Sequence, residues 1–239
     1  MSPKPSGSRT LVATYLVQTE SCLPGNLKST VIFRNSTACL CDVVVLSYKQ
    51  ACGDPSPAHV EYISASSPTS WNEGRNLLFE VAKQRKEKYL YYVFMDDDII
   101  LQTKAKRKGH PWRIFDSFVR TIEPAVAAVD TDRNLCVRKT YEARKLLGCV
   151  LEGTQEYIPA VHYDAAFNAF HYQAVDYILP YPLKYDNIIS WHLSQWYVII
   201  KSKVTFPGQV VLHTGFLVQN KYHSPYPRKR LTTQICRVS

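Results

Sequence analysis

Three consecutive carboxylates, Asp96-Asp97-Asp98, are the residues of this 239-residue chain best suited to do chemistry. They follow Tyr89-Leu90-Tyr91-Tyr92-Val93-Phe94-Met95, an apolar, β-prone run of strand length that reads as a strand buried on both faces of a parallel sheet. Adjacent negative charges at the carboxyl end of such a strand repel one another, and in open α/β sheets ligands bind just outside that end. A divalent cation would relieve the repulsion. Strand alternation predicts that Asp96 and Asp98 point one way and Asp97 the other. The Asp-x-Asp pair would then grip Mg²⁺ or Mn²⁺ through hard oxygens and leave positions for phosphate. The plain alternative is a solvated acidic turn that holds nothing.

The elements that would position these carboxylates are legible around them. Leu11 to Gln18, Cys41 to Tyr48 and His59 to Ser64 read as strands. Ser70-Trp71-Asn72-Glu73 has the Ser-x-x-Glu form of a capping box and opens a helix whose apolar face is Leu77, Leu78, Val81 and Ala82. Near that start stand Gly74, Arg75 and Asn76. A helix amino terminus offers free N–H groups, glycine permits close approach and arginine recognises phosphate bidentately. Arg75 paired with a neighbouring carboxylate is the alternative.

Pro111 stands at a first helical position, and Ile114, Phe115, Phe118, Val119 and Ile122 repeat at helical spacing up to Pro124. Ala125 to Val129 reads as a strand, Tyr172 to Leu179 as a short helix, and Gln209 to Val218 as a strand after the Pro207-Gly208 turn. Asp186 immediately precedes an apolar-rich helix with Trp191, Ser194, Gln195 and Trp196, where it serves as N-cap or as a base. Asp164, beside Phe167-Asn168, is the other acidic candidate. Trp191 and Trp196 fit a core position better than a sugar platform. The order strand, strand, helix, strand predicts a doubly wound α/β architecture. The chain lacks the Gly-x-Gly-x-x-Gly and Gly-x-x-x-x-Gly-Lys loops, which argues against a dinucleotide dehydrogenase and against a P-loop NTPase.

Composition adds bounds. The net charge is +9, with basic runs at Lys83 to Lys88, Lys104 to Lys108 and Arg228 to Arg230, which suits an anionic partner or simply water. No nucleic-acid-binding signature accompanies them. The seven cysteines are scattered, and Cys39-x-Cys41 without a second pair makes no zinc site. No apolar run approaches a membrane span, and Leu11 to Val17 lacks the flanks of a signal peptide. The chain by itself therefore reads as soluble and cytoplasmic, or lumenal in the Golgi or endoplasmic reticulum if an upstream anchor belongs to it. The sequon Asn35-Ser36-Thr37 is compatible with the second reading.

Taken together, the strand ending in Asp-x-Asp, the helix start at residues 74 to 76 and the acidic residue before a later helix resemble the GT-A fold of nucleotide-sugar glycosyltransferases. The resemblance covers the layout of residues 41 to 225 and is specific only around the Asp-x-Asp. It implies one GT-A-like, Rossmann-like α/β domain with a mixed, mostly parallel sheet flanked by helices. Residues 11–227 would form that domain, with a nucleotide-sugar-binding half at 11–130 and an acceptor half at 131–227. Residues 1–10 read as disordered and 228–239 as a basic tail.

The resemblance further implies Mn²⁺ or Mg²⁺ held by Asp96 and Asp98, with a late histidine, His223 or His213, completing the site. It places Gly74, Arg75, Asn76, Asp96 and Asp97 at the donor, and Asp186 or Asp164 as base toward an acceptor hydroxyl. The family's glutamate before the base is replaced here by Tyr185. The expected activity is metal-dependent transfer of a sugar from a nucleotide diphosphate sugar, expected to be UDP-linked, to a glycan, protein or small-molecule acceptor. A nucleotidyltransferase and a non-catalytic polyanion-binding protein on the same scaffold are the competing readings.

Overall fold

A computed structural model of the chain describes residues 11–103, 109–131, 157–160, 163–184 and 191–220. The first strand, β1 (Leu11–Thr19), leads through three one-turn helices, α1 (Gly25–Lys28), α2 (Val31–Arg34) and α3 (Ser36–Cys39), into β2 (Cys41–Ser47) and β3 (Val60–Ser64). Helix α4 (Trp71–Lys83) returns to β4 (Tyr89–Asp96), which is followed by β5 (Ile99–Thr103), α5 (Pro111–Ile122) and β6 (Val126–Thr131). Then come β7 (Tyr157–Pro159), β8 (Phe167–His171), α6 (Tyr172–Ile178), α7 (Trp191–Thr205) and β9 (Val210–Asn220).

The nine strands of the described residues join one mixed sheet, β3-β2-β1-β4-β8-β6-β9-β5, with β7 also on β9. The amino half is parallel throughout: β1 lies between β2 and β4, and β2 carries β3. Antiparallel β8 bridges β4 to β6, which pairs in parallel with β9, while β5 and β7 run antiparallel to β9. This is the single α/β domain, Rossmann-like in its amino half, that the order of elements predicts. Its polarity reverses at β1, because β2 and β3 extend to one side of β1 while β4 returns to the other. Such a switch point opens a crevice at the carboxyl ends of the strands.

Alternating side chains of the same strands build two apolar layers. Tyr15, Val17, Val43, Val45, Val93 and Met95 pack with Leu27, Phe33, Trp112 and Phe115 from α1, α2 and α5. Leu16, Val44, Leu46 and Phe94 pack with Leu78, Phe79, Val175, Ile178 and Val198 from α4, α6 and α7. Strands covered on both faces read as continuous apolar runs, which is why β2 and β4 stand out in the sequence.

Two details of that reading change. The inner face of α4 is Asn72, Gly74, Arg75, Leu78, Phe79 and Ala82, whereas Leu77 is exposed. The helix turns a polar first turn inward because Arg75 and Asn72 have buried partners there. In α5 the buried set begins at Trp112 and leaves Ile122 exposed.

Among the described residues two disulfides form, Cys22–Cys52 and Cys39–Cys41. The first ties the loop after β1 to the loop after β2, across a sequence separation of 30. The same loops zip together through Tyr48 N to Thr19 O at 3.0 Å and Lys49 N to Glu20 O at 2.9 Å. Replacing both Cys22 and Cys52 with serine is expected to cost about 3 kcal/mol by releasing a loop of this length in the unfolded chain. That corresponds to a melting temperature lower by roughly 6–12 °C for a domain of this size. A double variant that melts with the wild type under non-reducing conditions would refute the stabilising role of the bridge.

Candidate functional site

The carboxyl ends of the parallel strands meet in an open cleft of about 380 Å³ lined by Gln18, Tyr48, Thr69, Trp71, Asp96, Asp97 and Asp98. Gln18 comes from the end of β1, Tyr48 from just beyond β2, Thr69 and Trp71 from the start of α4, and the aspartates from the end of β4. Gln18 and Asp96 are direct neighbours across the β1–β4 pairing. The cleft thus occupies the switch-point crevice, and all three sequence-predicted carboxylates open into it.

The alternation expected along Asp96-Asp97-Asp98 does not hold. Only Asp96 is strand; Asp97 and Asp98 form a turn that carries the chain out of β4 and across to β5, on the far edge of the sheet. The turn directs each carboxylate by local geometry rather than by the pleat. Burial, then the Asp96 and Asp97 charges, push the Asp98 carboxyl up to about 6, with Asp164 adding to the effect. Asp97 is also raised, first by burial and then by Asp96, while a hydrogen bond from the Thr19 hydroxyl opposes the shift. The cluster is therefore electrostatically strained toward taking up a proton or a cation.

Asp96 is braced from below. Arg75 donates through Nη2 to Asp96 Oδ1 at 2.6 Å, and Trp71 Nε1 donates to the same oxygen at 3.4 Å. The Arg75 guanidinium lies 3.9 Å from the centre of the Trp71 ring, with Phe94 and Tyr181 at 5.4 and 6.0 Å. Helix α4 is fixed there by the complete capping box: Ser70 Oγ accepts from Glu73 N at 3.2 Å and Glu73 Oε2 accepts from Ser70 N at 2.8 Å.

Gly74, Arg75 and Asn76 each have partners inside the protein. A Cβ at Gly74 would overlap the Gln18 carboxamide, so the close approach that glycine permits is to Gln18. Arg75 is buried under Asp96, the carboxylate pairing held open as its alternative. Asn76 accepts from Tyr181 N and donates to Tyr181 O, both at 2.8 Å, which pins the segment before α7. Gln18 donates to Ser70 O at 3.2 Å, and its Oε1 is a buried acceptor with no partner in the cleft wall.

Asp164 accepts through Oδ1 from Ala166 N at 2.9 Å, just before β8, and its charge reaches Asp98. His213 lies in the core, 5.0 Å from the ring centres of both Phe118 and Tyr157, which stack on each other. Trp196, expected in the core, is 38% exposed. Asp186 and His223 lie outside the described residues, as does the side chain of Trp191.

As a cation site the cleft offers hard carboxylate oxygens of the right type, but as a pair or loose trio. Among the described residues, only Cys22, Cys52 and Asp54 bring three donor atoms within 4.8 Å of one another, and those cysteines are consumed in a disulfide. The aspartates leave room for ligand oxygens to complete a coordination sphere, which is how Mg²⁺ is bound in phosphate sites. Tyr48, Gln18 and Thr69, none of them marked by the sequence, complete the wall. Gln18 at the end of β1 and Tyr48 just beyond β2 stand at strand ends, the signal that could have found them; Thr69, just before α4, has no such mark.

Comparisons with known proteins carry no argument about function. No family model matches the sequence. No curated protein matches it. Among solved structures, S. aureus TarS 1-349 aligns with a TM-score of 0.49 and 11% identity over 86% of this chain. The chain spans 60% of that fragment's length. A197 from STIV aligns with a TM-score of 0.46 and 10% identity, over 87% of this chain and 85% of that one. At such values the functional reading rests on the chain's own residues.

Proposed function

We propose that the chain is a metal-dependent glycosyltransferase that binds a nucleotide diphosphate sugar, UDP-linked by preference, in the cleft at the ends of β1, β2 and β4. The observation that carries this reading is the crowding of three carboxylates at the switch-point crevice, beside a cleft wide enough for a nucleotide. Asp98 and the outer oxygen of Asp96 hold Mn²⁺ or Mg²⁺, which supplies charge stabilisation to a departing diphosphate. Asp97, anchored by Thr19, fixes the turn that presents Asp98. Tyr48 and Trp71 flank the nucleoside, and Gln18 walls the cleft beside Asp96.

Arg75 orients Asp96 rather than touching phosphate. The base toward the acceptor hydroxyl is Asp186 or Asp164, and Asp164 stands within electrostatic reach of Asp98. The Gly74-Arg75-Asn76 turn acts in donor binding through Gln18 and Asp96. Calorimetric titration with UDP and GDP, with and without Mn²⁺, tests the reading. Binding that requires the metal supports it, and release of free sugar from a bound nucleotide sugar separates transfer from nucleotidyl chemistry. A folded chain that binds neither nucleotide refutes it.

A further inference from the structure

Helix α7 is apolar almost all around, so apolar side chains face outward as well as inward. It buries Ser194, Gln195 and Ser202 alongside Val198 and Ile199, while Trp196, Tyr197, Ile200 and Val204 are 38%, 47%, 57% and 76% exposed. The buried polar groups are satisfied. Ser194 Oγ receives a hydrogen bond from Asn72 at 2.8 Å and donates to Pro182 O at 2.7 Å. Gln195 donates to Tyr163 O at 3.1 Å, and Ser202 to Val198 O at 2.6 Å. Ser194 and Gln195 tie the helix to its neighbours while Val198 and Ile199 pack in the core, and an apolar stripe at i, i+4, i+8 is left facing outward. Tyr177 of α6, 63% exposed, lies against Phe206 just past the end of α7.

We infer that this face docks on an anionic lipid surface. Two observations choose that occupant. The residue types are interfacial: Trp and Tyr rings mixed with Ile and Val, and lysines that can extend from an apolar stem to headgroups. The charge is also one-sided. Helix α7 carries Lys201 and Lys203 and no acidic residue, Lys201 Nζ sits over the Tyr197 ring at 5.6 Å, and the chain as a whole is +9. The neighbouring Asp176 is neutralised by Lys83 at 2.6 Å. An apolar stripe with a positive margin is attracted to anionic headgroups and then inserts at the headgroup–acyl boundary. The amino end of α7 meets the start of α4 at Asn72, next to the cleft residue Trp71. Docking there holds the cleft close to the lipid surface.

The test is co-sedimentation of the full chain with vesicles of phosphatidylcholine containing about 30% phosphatidylserine, against pure phosphatidylcholine. The expected result is binding to the anionic vesicles only. I200Q/V204Q, at solvent-exposed positions, should retain the wild-type melting temperature and lose about tenfold in partitioning. K201E/K203E should lose binding as well and show the electrostatic share. A folded wild type that stays in the supernatant overturns the inference. So does equal binding by I200Q/V204Q, which would assign the attraction to the basic runs alone. A concentration-dependent dimer in light scattering that I200Q/V204Q dissolves would overturn it in favour of a second copy of the chain.

Discussion

Replacing Asp98 with asparagine is expected to weaken metal-dependent nucleotide binding severely while making the free protein more stable at pH 7. The two effects share one cause. Burial and the charges of Asp96 and Asp97 hold the Asp98 carboxyl up at about 6 from its ordinary 3.8. The folded state therefore binds its proton more tightly than the unfolded chain does. Stability from this group is full below about pH 4, falls as pH rises through the window from about 4 to about 6, and stays low above it. At neutral pH the ionised carboxylate is a net cost, reduced by solvent because the side chain is only half buried, and comes to about 1 kcal/mol.

Asparagine keeps the shape and removes the charge, so the melting temperature should rise by roughly 2–4 °C and the slope of stability between pH 4 and 6 should flatten. Loss of one of two anionic ligands should at the same time weaken Mn²⁺-dependent UDP binding by about a hundredfold or more. In the wild type, Mn²⁺ affinity should fall below about pH 6 as protons compete for Asp98. Thermal melts and calorimetry on the same samples decide the matter. An Asp98→Asn protein that binds UDP and Mn²⁺ like the wild type would remove the metal site. One that is less stable at pH 7 would mean Asp98 has a favourable partner in the free protein.

What could be read from the sequence follows from which forces act locally. The β4 strand and its acidic end were legible because a strand covered on both faces must be apolar throughout, and the carboxylates interrupt it. The start of α4 was legible because a capping box is closed within four residues. The direction of Asp97 and Asp98 was not, since it depends on β5 leaving for the opposite edge of the sheet rather than on the pleat. The pairing of Gln18 with Asp96 depends on β1 and β4 being neighbours, a long-range fact with no short-range trace. For the same reason the sequence offered the Arg75–Asp96 pair only as an alternative, and the Cys22–Cys52 bridge not at all. Helix α7 escaped a facial assignment because Trp, Tyr, Val and Ile occur almost all around it, so periodicity does not choose which side turns inward. Its buried serines and glutamine choose instead, by finding partners on α4 and around Tyr163 and Pro182.

Arg75 carries the second large effect. Its side chain is 3% exposed and its only carboxylate partner among the described residues is Asp96, which is 32% exposed. Methionine in its place would fill part of the space against Trp71, Phe94 and Tyr181 and leave three aspartates with no cation beneath them. Removing one partner of a buried pair strands the other, and the expected loss is about 3 kcal/mol, or roughly 6–12 °C in melting temperature. Because the cost is an uncompensated charge, adding Asp96→Asn to Arg75→Met should recover part of it, with a coupling of about 1–2 kcal/mol in the double-mutant cycle. Lysine should not substitute, since an ammonium has no flat face to lie 3.9 Å over the indole. If Arg75→Lys melted with the wild type, the stacking would be incidental and the pair a simple point-charge contact. If Arg75→Met did so, Asp96 would be stabilised by water in the cleft, and the bracing of the acidic cluster by α4 would fall with it.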